Sequence, residues 1–295
     1  PSILAEPPDT RPWFDPGVLY LMGKGTALGL FLWCGLLAIV IEEFFKPSYA
    51  LWMVGGSIVF LAFALWQARR GRTRSSSEQT ASPSSGYHSL FRAMLTILAL
   101  WWLMEFGAFI QIYHYAWPFT FRAAIFVVAL PVALILSFRG VLDCGLAVKT
   151  PLVVRHGPQS LLLGALAFHV LTLFKSIPAA QHFLLPKVVA GLVAINAALV
   201  VISARSATPA DSPQSIPFAS GRDASLFWGF GLGIGHLLPV VAVGRGLTGL
   251  ETPALLCGLF GVSICERVLV ESMRRDAFES GAKDRPVNDR GREFP

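Results

Sequence analysis

The sequence predicts an all-α membrane protein, a bundle of eight transmembrane helices, and two observations support this fold class. Of the 295 residues, 54% are hydrophobic and only 14% are charged, whereas a soluble domain carries roughly 25% charged residues. The charges are also unevenly distributed, because five long stretches carry none: 25–41, 47–68, 123–138, 188–204 and 224–244. A helix needs about 20 apolar residues to cross the hydrocarbon layer of a membrane. The excess of apolar side chains is therefore expected to face lipid.

Taken in order along the chain, the apolar runs give eight predicted spans. They lie at approximately 22–42, 49–68, 96–117, 121–140, 158–177, 184–204, 224–244 and 252–271. We expect one membrane domain over 1–276 and a flexible cytoplasmic tail over 277–295. A Ser-, Thr- and Pro-rich stretch over 71–86 is predicted to be a flexible cytoplasmic loop between the second and third spans.

The composition excludes several other classes of protein. A mean hydropathy of +0.59 is incompatible with a disordered chain or a small disulfide scaffold. The net charge of +6 is explained by loop topology and attraction to anionic lipid, so it does not indicate nucleic-acid binding. The four cysteines, at positions 34, 144, 257 and 265, form no CxxC motif. No zinc or iron–sulfur site made by this chain alone is therefore expected.

The distribution of basic residues predicts the orientation of the chain, because short loops rich in Lys and Arg stay cytoplasmic. One side would hold Arg69, Arg70, Arg72, Arg74, Arg139, Lys149, Arg155, Arg205, Arg222 and the basic C-terminal tail. The other side would hold Lys46, Arg122, Lys175, Lys187 and Arg245. The excess on the first side places both termini in the cytoplasm.

Ionisable side chains within spans are candidate functional residues, because burying them in a membrane costs several kcal/mol. Glu105, in LWWLMEFGAF, is the clearest example, as a proton-exchanging carboxyl suits redox or transport chemistry. The alternative is a structural hydrogen bond to a neighbouring helix. On the last span, Glu271 follows Arg267 by four residues, so the two share a face and can pair near the headgroups. Glu266 lies deeper in the same span.

Two further functional classes follow from the histidines and glycines. A haem b cytochrome anchor would need pairs of histidines on facing helices, and only His169 and His236 lie well inside spans. A secondary transporter would need inverted repeats and broken helices at the midplane, for which Gly231–Gly235 and Pro239, within the run GFGLGIGHLLP (229–239), are the only hint. The glycines of this run more simply allow close contact between helices, and Pro239 can kink the span.

Four motifs occur in an order that is typical of one family of membrane subunits: GTALGLFLWCGL (25–36), HSLFRAMLTILALWWLMEFG (88–107), KTPLVVRHGPQSLLLGA (149–165) and ERVLVES (266–272). In the second motif, Glu105 follows Arg92 by thirteen residues, and Trp101 precedes Glu105 by four. With eight spans, these motifs resemble the DMSO reductase anchor subunit family, within the NrfD/polysulfide reductase group. The chain departs from the family pattern at Met104, where Arg often stands.

The resemblance implies a non-catalytic membrane anchor that exchanges electrons with ubiquinone or menaquinone and carries no haem or iron–sulfur cluster. Its partners would be an iron–sulfur electron-transfer subunit and a molybdopterin catalytic subunit. Arg92 and Glu105 would bind the quinone and handle protons, with Trp101, His88 and Glu271 as further quinone contacts. His88 stands closer to Arg92 than its counterpart does in the family. Independently of the resemblance, quinone chemistry needs a proton carrier beside an apolar slot.

The predicted topology narrows the type of complex. The Arg92 side, where the iron–sulfur partner should dock, is the side assigned to the cytoplasm. Anchors of exported DMSO or polysulfide reductases would present that side outward. A cytoplasmic catalytic module instead suits sulfite dehydrogenases with a related anchor. The sequence thus predicts a multi-pass protein of the bacterial inner membrane that serves sulfite oxidation.

Overall fold

The computed structural model describes residues 16–40, 47–75, 85–110, 119–143, 150–173, 179–206, 224–247 and 249–283. Within these ranges all regular structure is helical, which confirms the all-α prediction. The helices are α1 (Pro16–Val40), α2 (Pro47–Ser75), α3 (Ser85–Phe109), α4 (Phe119–Asp143), α5 (Thr150–Leu173), α6 (Ala179–Ser206), α7 and α8 (Glu251–Lys283). The seventh, α7, is a π-helix over Ser225–Leu237 and continues as an α-helix over Leu238–Gly244.

Six stretches of the described residues are long and apolar enough to cross a membrane, so the chain is a multi-pass membrane protein by length and composition. They are Pro16–Ile39, Ser48–Ala68, Ser89–Phe109, Leu185–Arg205, Ser225–Gly244 and Glu251–Glu271. Helix α4 contributes a shorter apolar stretch, Phe121–Ser137. Helix α5 carries Arg155, His156 and Gln159 in its first half. The sequence predicts eight crossings, and six of the described helices meet the length and composition needed for one.

Large apolar side chains cover the outside of the bundle, as expected for a protein surrounded by lipid. Phe260 is 73% exposed, Val59 66% and Val128 65%. Soluble monomers rarely expose apolar patches of this kind over a wide area. The inside holds Phe31, Trp101 and other apolar residues that are almost fully buried.

Ring contacts show that α1 and α3 run in the same direction. The ring centroids of Tyr20 and Phe91, both near the start of their helices, are 6.4 Å apart. Further along, the centroids of Phe31 and Trp101 are 6.0 Å apart. Helix α4 runs the opposite way: Phe126, near its start, lies 5.3 Å from Phe31, whereas Leu136, nearer its end, accepts a hydrogen bond from Lys24, which comes earlier in α1.

Polar contacts show that α5 and α8 run in opposite directions. Arg155, near the start of α5, pairs with Glu266, whereas His169, nearer its end, lies 3.4 Å (Nε2 to Oγ1) from Thr252 at the start of α8. The two helices are therefore antiparallel. A Cβ built on Gly25, in the first half of α1, would lie 3.6 Å from Ser160 Oγ, in the first half of α5, so the first halves of these two helices lie together.

These directions define two ends of the bundle. The starts of α1, α3 and α5 lie at the first, which we call the Arg92 end. The end of α3 and the start of α4 lie at the second, which we call the Glu105 end. The alternation agrees with the odd and even order of the predicted spans.

Glycine pairs allow two of the helix crossings to be very close. A Cβ added to Gly29 on α1 would lie 1.9 Å from the carbonyl oxygen of Ser160 on α5. On α7, a Cβ at Gly235 would lie 2.1 Å from the Cα of Gly261 on α8. Such distances are sterically forbidden, so only glycine permits the contact. Gly231 is close to α8 as well, since its added Cβ would lie 2.6 Å from Cys265 Sγ. The prediction that the glycines of 229–239 serve close helix packing is thus confirmed for Gly231 and Gly235.

Several helix ends differ from the sequence prediction. Helix α3 begins at Ser85, and its apolar stretch begins at Ser89 rather than near 96, because Leu90, Phe91, Met94 and Leu95 continue the apolar run before that point. Residues 71–75 continue α2, 85–86 belong to α3, and 277–283 continue α8, so these parts of the predicted flexible segments are helical. The remainder of 71–86 and of 277–295 lies outside the described residues.

Candidate functional site

Glu105 lies near the end of α3 and is fully engaged by its neighbours. Its Oε1 accepts hydrogen bonds from Arg122 Nε at 2.8 Å and from Trp101 Nε1 at 3.1 Å. Its Oε2 accepts a bond from Arg122 Nη2 at 2.9 Å. Glu105 is 1% exposed and Arg122 is 5% exposed. This is a bidentate, buried ion pair between α3 and α4, reinforced by an indole.

The geometry at Glu105 favours the structural alternative over a proton-exchanging one. The carboxylate already has three hydrogen-bond donors, and its charge is matched by a guanidinium. Arg122, which the sequence placed in a loop as an orientation signal, is instead a buried partner at the start of α4. A lone base beside an apolar run cannot be distinguished from a loop charge by composition alone, which explains the error.

Arg92 and Glu105 cannot contact the same headgroup. They are thirteen residues apart on one continuous helix, which at 1.5 Å per residue places them about 20 Å apart along the axis. Arg92 is exposed at the Arg92 end. Arg92 and Glu105 therefore do not form one site together, although Trp101 and Glu105 do lie together. That either residue contacts a quinone stays a prediction.

The other two predicted quinone contacts, His88 and Glu271, lie on α3 and α8. His88 lies in the first turns of α3, one turn before Arg92, and its side chain lies outside the described residues. Glu271 is half-buried on α8, one turn after Arg267. The pairing of these last two residues stays a prediction.

A second buried polar cluster joins α5 to α8 at the Arg92 end, and we call it the Arg155 group: Arg155, His156, Gln159 and Glu266. Arg155 Nη2 donates a hydrogen bond to Glu266 Oε2 at 2.5 Å. His156 Nε2 lies 3.7 Å from Glu266 Oε1. All four residues are at most 5% exposed. The sequence analysis counted Arg155 only among the loop charges. The structure corrects this assignment, because Arg155 is buried inside the bundle.

The Arg155 group differs from the Glu105 pair in being incompletely hydrogen-bonded. Among the described residues, five of its buried polar atoms have no hydrogen-bond partner: Arg155 Nε and Nη1, His156 Nε2, Gln159 Oε1 and Glu266 Oε1. Leaving a buried donor or acceptor without a partner costs about 1–3 kcal/mol for each group. Such groups in a native protein call for an explanation, and a bound molecule is one.

Two residues that weaken a helix, Gly157 and Pro158, stand between Arg155 and Gln159 in α5. Pro158 has no amide hydrogen, so the carbonyl of Val154 loses its usual helical donor. Gly157 precedes the proline, and among the described residues no heavy atom lies within 4 Å of a Cβ built there. The sequence pattern that could have found this site is RHGPQS, in which Arg155 and Gln159 are four residues apart and share one helix face.

Lys24 adds a third buried charge at the Arg92 end. It is 2% exposed, and its Nζ donates hydrogen bonds to the carbonyl oxygens of Leu136 at 3.0 Å and Ser137 at 3.4 Å. The ammonium also lies 5.4 Å from the ring centroid of Tyr20, within range of a cation–π contact. Lys24 therefore ties α1 to the end of α4 and adds positive charge near His156.

His236, on α7, has both ring nitrogens in hydrogen bonds. Nδ1 lies 2.7 Å from the carbonyl oxygen of Gly231, which can only accept, so Nδ1 carries the hydrogen. Nε2 then accepts from Asn196 Nδ2 at 2.9 Å. An iron atom could bind His236 only by displacing one of these partners.

Helix α7 is continuous, because its π-helical part is followed directly by an α-helical part through 225–244. The broken helix that a transporter would need is therefore not found in this segment.

Comparison with known proteins gave no match to a family model, to a curated protein or to a solved structure. The function must therefore be argued from the chemistry of the two buried polar clusters and from the sequence motifs.

Proposed function

We propose that the chain is the quinone-reactive anchor subunit of a molybdopterin and iron–sulfur oxidoreductase, and that it serves sulfite oxidation. The chain itself would not be the catalytic subunit. It would carry electrons between an iron–sulfur partner and the ubiquinone or menaquinone pool. The observation that carries this proposal is the Arg155 group, a buried and partly unsatisfied set of donors and acceptors inside an apolar bundle.

Quinone chemistry makes specific demands on a membrane protein, and the Arg155 group suits them. A quinone headgroup needs an apolar surrounding for its ring and polar groups for its oxygens, together with side chains that can exchange protons. Glu266 and His156 are such side chains, and they lie 3.7 Å apart. The Glu105 pair suits these demands less well, because its hydrogen-bonding capacity is used by Arg122 and Trp101.

The position of the group is also favourable. It lies at the same end of the bundle as the exposed Arg92, which the family resemblance associates with the docking side of the iron–sulfur subunit. Electron transfer requires the quinone to lie near that side. We propose eight membrane crossings with both termini in the cytoplasm of a bacterium, so that this end faces the cytoplasm. Because Arg155 and Arg122 are buried, they no longer count as loop charges. One came from the cytoplasmic side and one from the opposite side, so the excess of basic residues on the cytoplasmic side persists.

Purification of the tagged chain from its native membrane tests the proposal. We expect it to copurify with an iron–sulfur protein and a molybdopterin protein, and the complex to reduce a short-chain ubiquinone analogue when sulfite is added. The matched control is the same complex without sulfite, which should reduce no quinone. A chain that purifies with no redox partner and supports no quinone-linked electron transfer would contradict the assignment.

A further inference from the structure

The unsatisfied atoms of the Arg155 group are of two opposite kinds. Arg155 Nε and Nη1 can only donate hydrogen bonds, whereas Gln159 Oε1 and Glu266 Oε1 face the cluster as acceptors. His156 Nε2 can take either part, depending on its tautomer. An occupant that satisfies the cluster must therefore accept from one side and donate to the other.

One buried water cannot meet this need. A buried water typically makes about 3 hydrogen bonds, with a range of 2–4, whereas five atoms on four side chains have no partner among the described residues. The atoms are also spread across two helices, α5 and α8. A ligand that carries both hydrogen-bond acceptors and donors can meet this need, whereas one water cannot.

A quinone changes its hydrogen-bonding character with its redox state, and the Arg155 group offers a partner for each state. The oxidised headgroup has carbonyl oxygens, which accept and so match the free N–H groups of Arg155. The reduced headgroup has hydroxyl groups, which donate and so match Gln159 Oε1 and Glu266 Oε1.

We propose that the Arg155 group is a quinone headgroup site in which Arg155 holds the oxidised form and Gln159 with Glu266 favours the reduced form. This inference rests on the proposed function and names the residues through which it would act. It is separate from the predicted contacts at Arg92 and Glu105, which lie at opposite ends of the bundle and stay predictions. Gln159 is the specificity-determining residue, because its side chain makes no other hydrogen bond through Oε1 among the described residues.

The location of the site is tested by photolabelling the full wild-type chain in lipid-containing micelles with an azido-ubiquinone analogue that has a short tail. We expect the label in the peptides around 155–160 and 262–270, and we expect excess unlabelled short-chain ubiquinone to protect them. Labelling confined to 101–109 and 119–126 would overturn this inference while leaving the proposed function in place. Absence of any protectable label, together with no quinone-linked turnover of the complex, would overturn both.

The specificity is tested by the variant Gln159→Leu, with Gln67→Leu on α2 as the matched control, since Gln67 is also buried. Loss of one neutral hydrogen-bond partner should weaken binding of a short-chain ubiquinol analogue by roughly three- to tenfold. Binding of the oxidised analogue should change by less than that. Equal weakening of both forms, or an equal effect from Gln67→Leu, would overturn the assignment. Photolabelling of wild type remains decisive if Gln159→Leu does not fold.

Discussion

Arg155 and Glu266 form an ion pair that connects α5 to α8 although the two residues are 111 positions apart in the chain. Each is 1% exposed. The pair resembles that of Arg122 and Glu105 in charge and burial, but it lies at the opposite end of the bundle. The two pairs differ in one respect that matters for function: Arg122 meets Glu105 through two nitrogens, whereas Arg155 leaves two nitrogens unsatisfied.

The Glu105 pair should be important for stability and dispensable for chemistry. Glu105→Ala leaves the guanidinium of Arg122 buried without its partner, and breaking such a pair costs about 3–5 kcal/mol. We expect the free energy of unfolding in mixed micelles, measured by detergent-induced denaturation, to fall by that amount. Quinone-linked turnover of the complex should persist in proportion to the folded protein.

The control for this prediction is the double variant Glu105→Leu with Arg122→Met. Replacing both charges by apolar side chains removes the uncompensated charge, so the loss of stability should be much smaller than for Glu105→Ala. A Glu105→Gln variant that is as stable as wild type yet lacks quinone-linked turnover would return Glu105 to the quinone site.

The crossing of α7 and α8 should tolerate no side chain at its centre. A Cβ at Gly261 would lie 2.3 Å from the Cα of Gly235. Gly261→Ala therefore forces the helices apart, and overpacking of this kind typically costs about 1–3 kcal/mol. Detergent-induced denaturation of the variant measures the loss.

The matched control for Gly261→Ala is Gly191→Ala on α6. Among the described residues, no heavy atom lies within 4 Å of a Cβ at Gly191. Since alanine in a helix is favoured over glycine by roughly 0.5–1 kcal/mol, this variant should be neutral or slightly more stable. Equal destabilisation by both substitutions would show that the close crossing does not limit the packing.

The helical spans could be predicted because long apolar runs leave little choice of structure in lipid. Their ends could not be placed as well. Helix α3 begins eleven residues before the predicted start near 96, and its apolar stretch begins at Ser89, because the polar Arg92 and Thr96 hid the apolar residues between and before them. The glycine contacts of α7 were also predictable, since small residues in an apolar run have few other uses. Its π-helical hydrogen bonding over Ser225–Leu237 left no signal in composition.

The site residues were predicted only in part, because buried ion pairs depend on partners that are distant in the chain. Glu105 and Glu266 were correctly noted as carboxylates in apolar spans. Their partners, Arg122 and Arg155, were assigned to loops, since a single base at the edge of an apolar run has the same local pattern in both cases. Only the packing of α3 on α4 and of α5 on α8 distinguishes them.

His236 should be a structural histidine of the α6–α7 contact. Asn196→Ala removes the donor to Nε2 and leaves a buried acceptor without a partner, which costs about 1–3 kcal/mol. Detergent-induced denaturation measures this loss, and Asn196→Asp tests whether donation to the imidazole is what matters. An absorption spectrum of the purified chain with a haem Soret band that disappears in His236→Gln would contradict this role and support the haem b alternative.

The orientation of the bundle decides which face the redox partner can reach, and reporter fusions measure it. We expect green fluorescent protein fused after Ser77 or after Pro295 to fluoresce, and alkaline phosphatase fused after Gly246 to be active. These results would put the Arg92 end, with the Arg155 group, on the cytoplasmic side where a sulfite-oxidising module would dock. Phosphatase activity after Ser77 would invert the bundle. The Arg155 group would then face the periplasm, and an exported reductase would become the better partner, because the iron–sulfur subunit must dock at the end that holds the quinone.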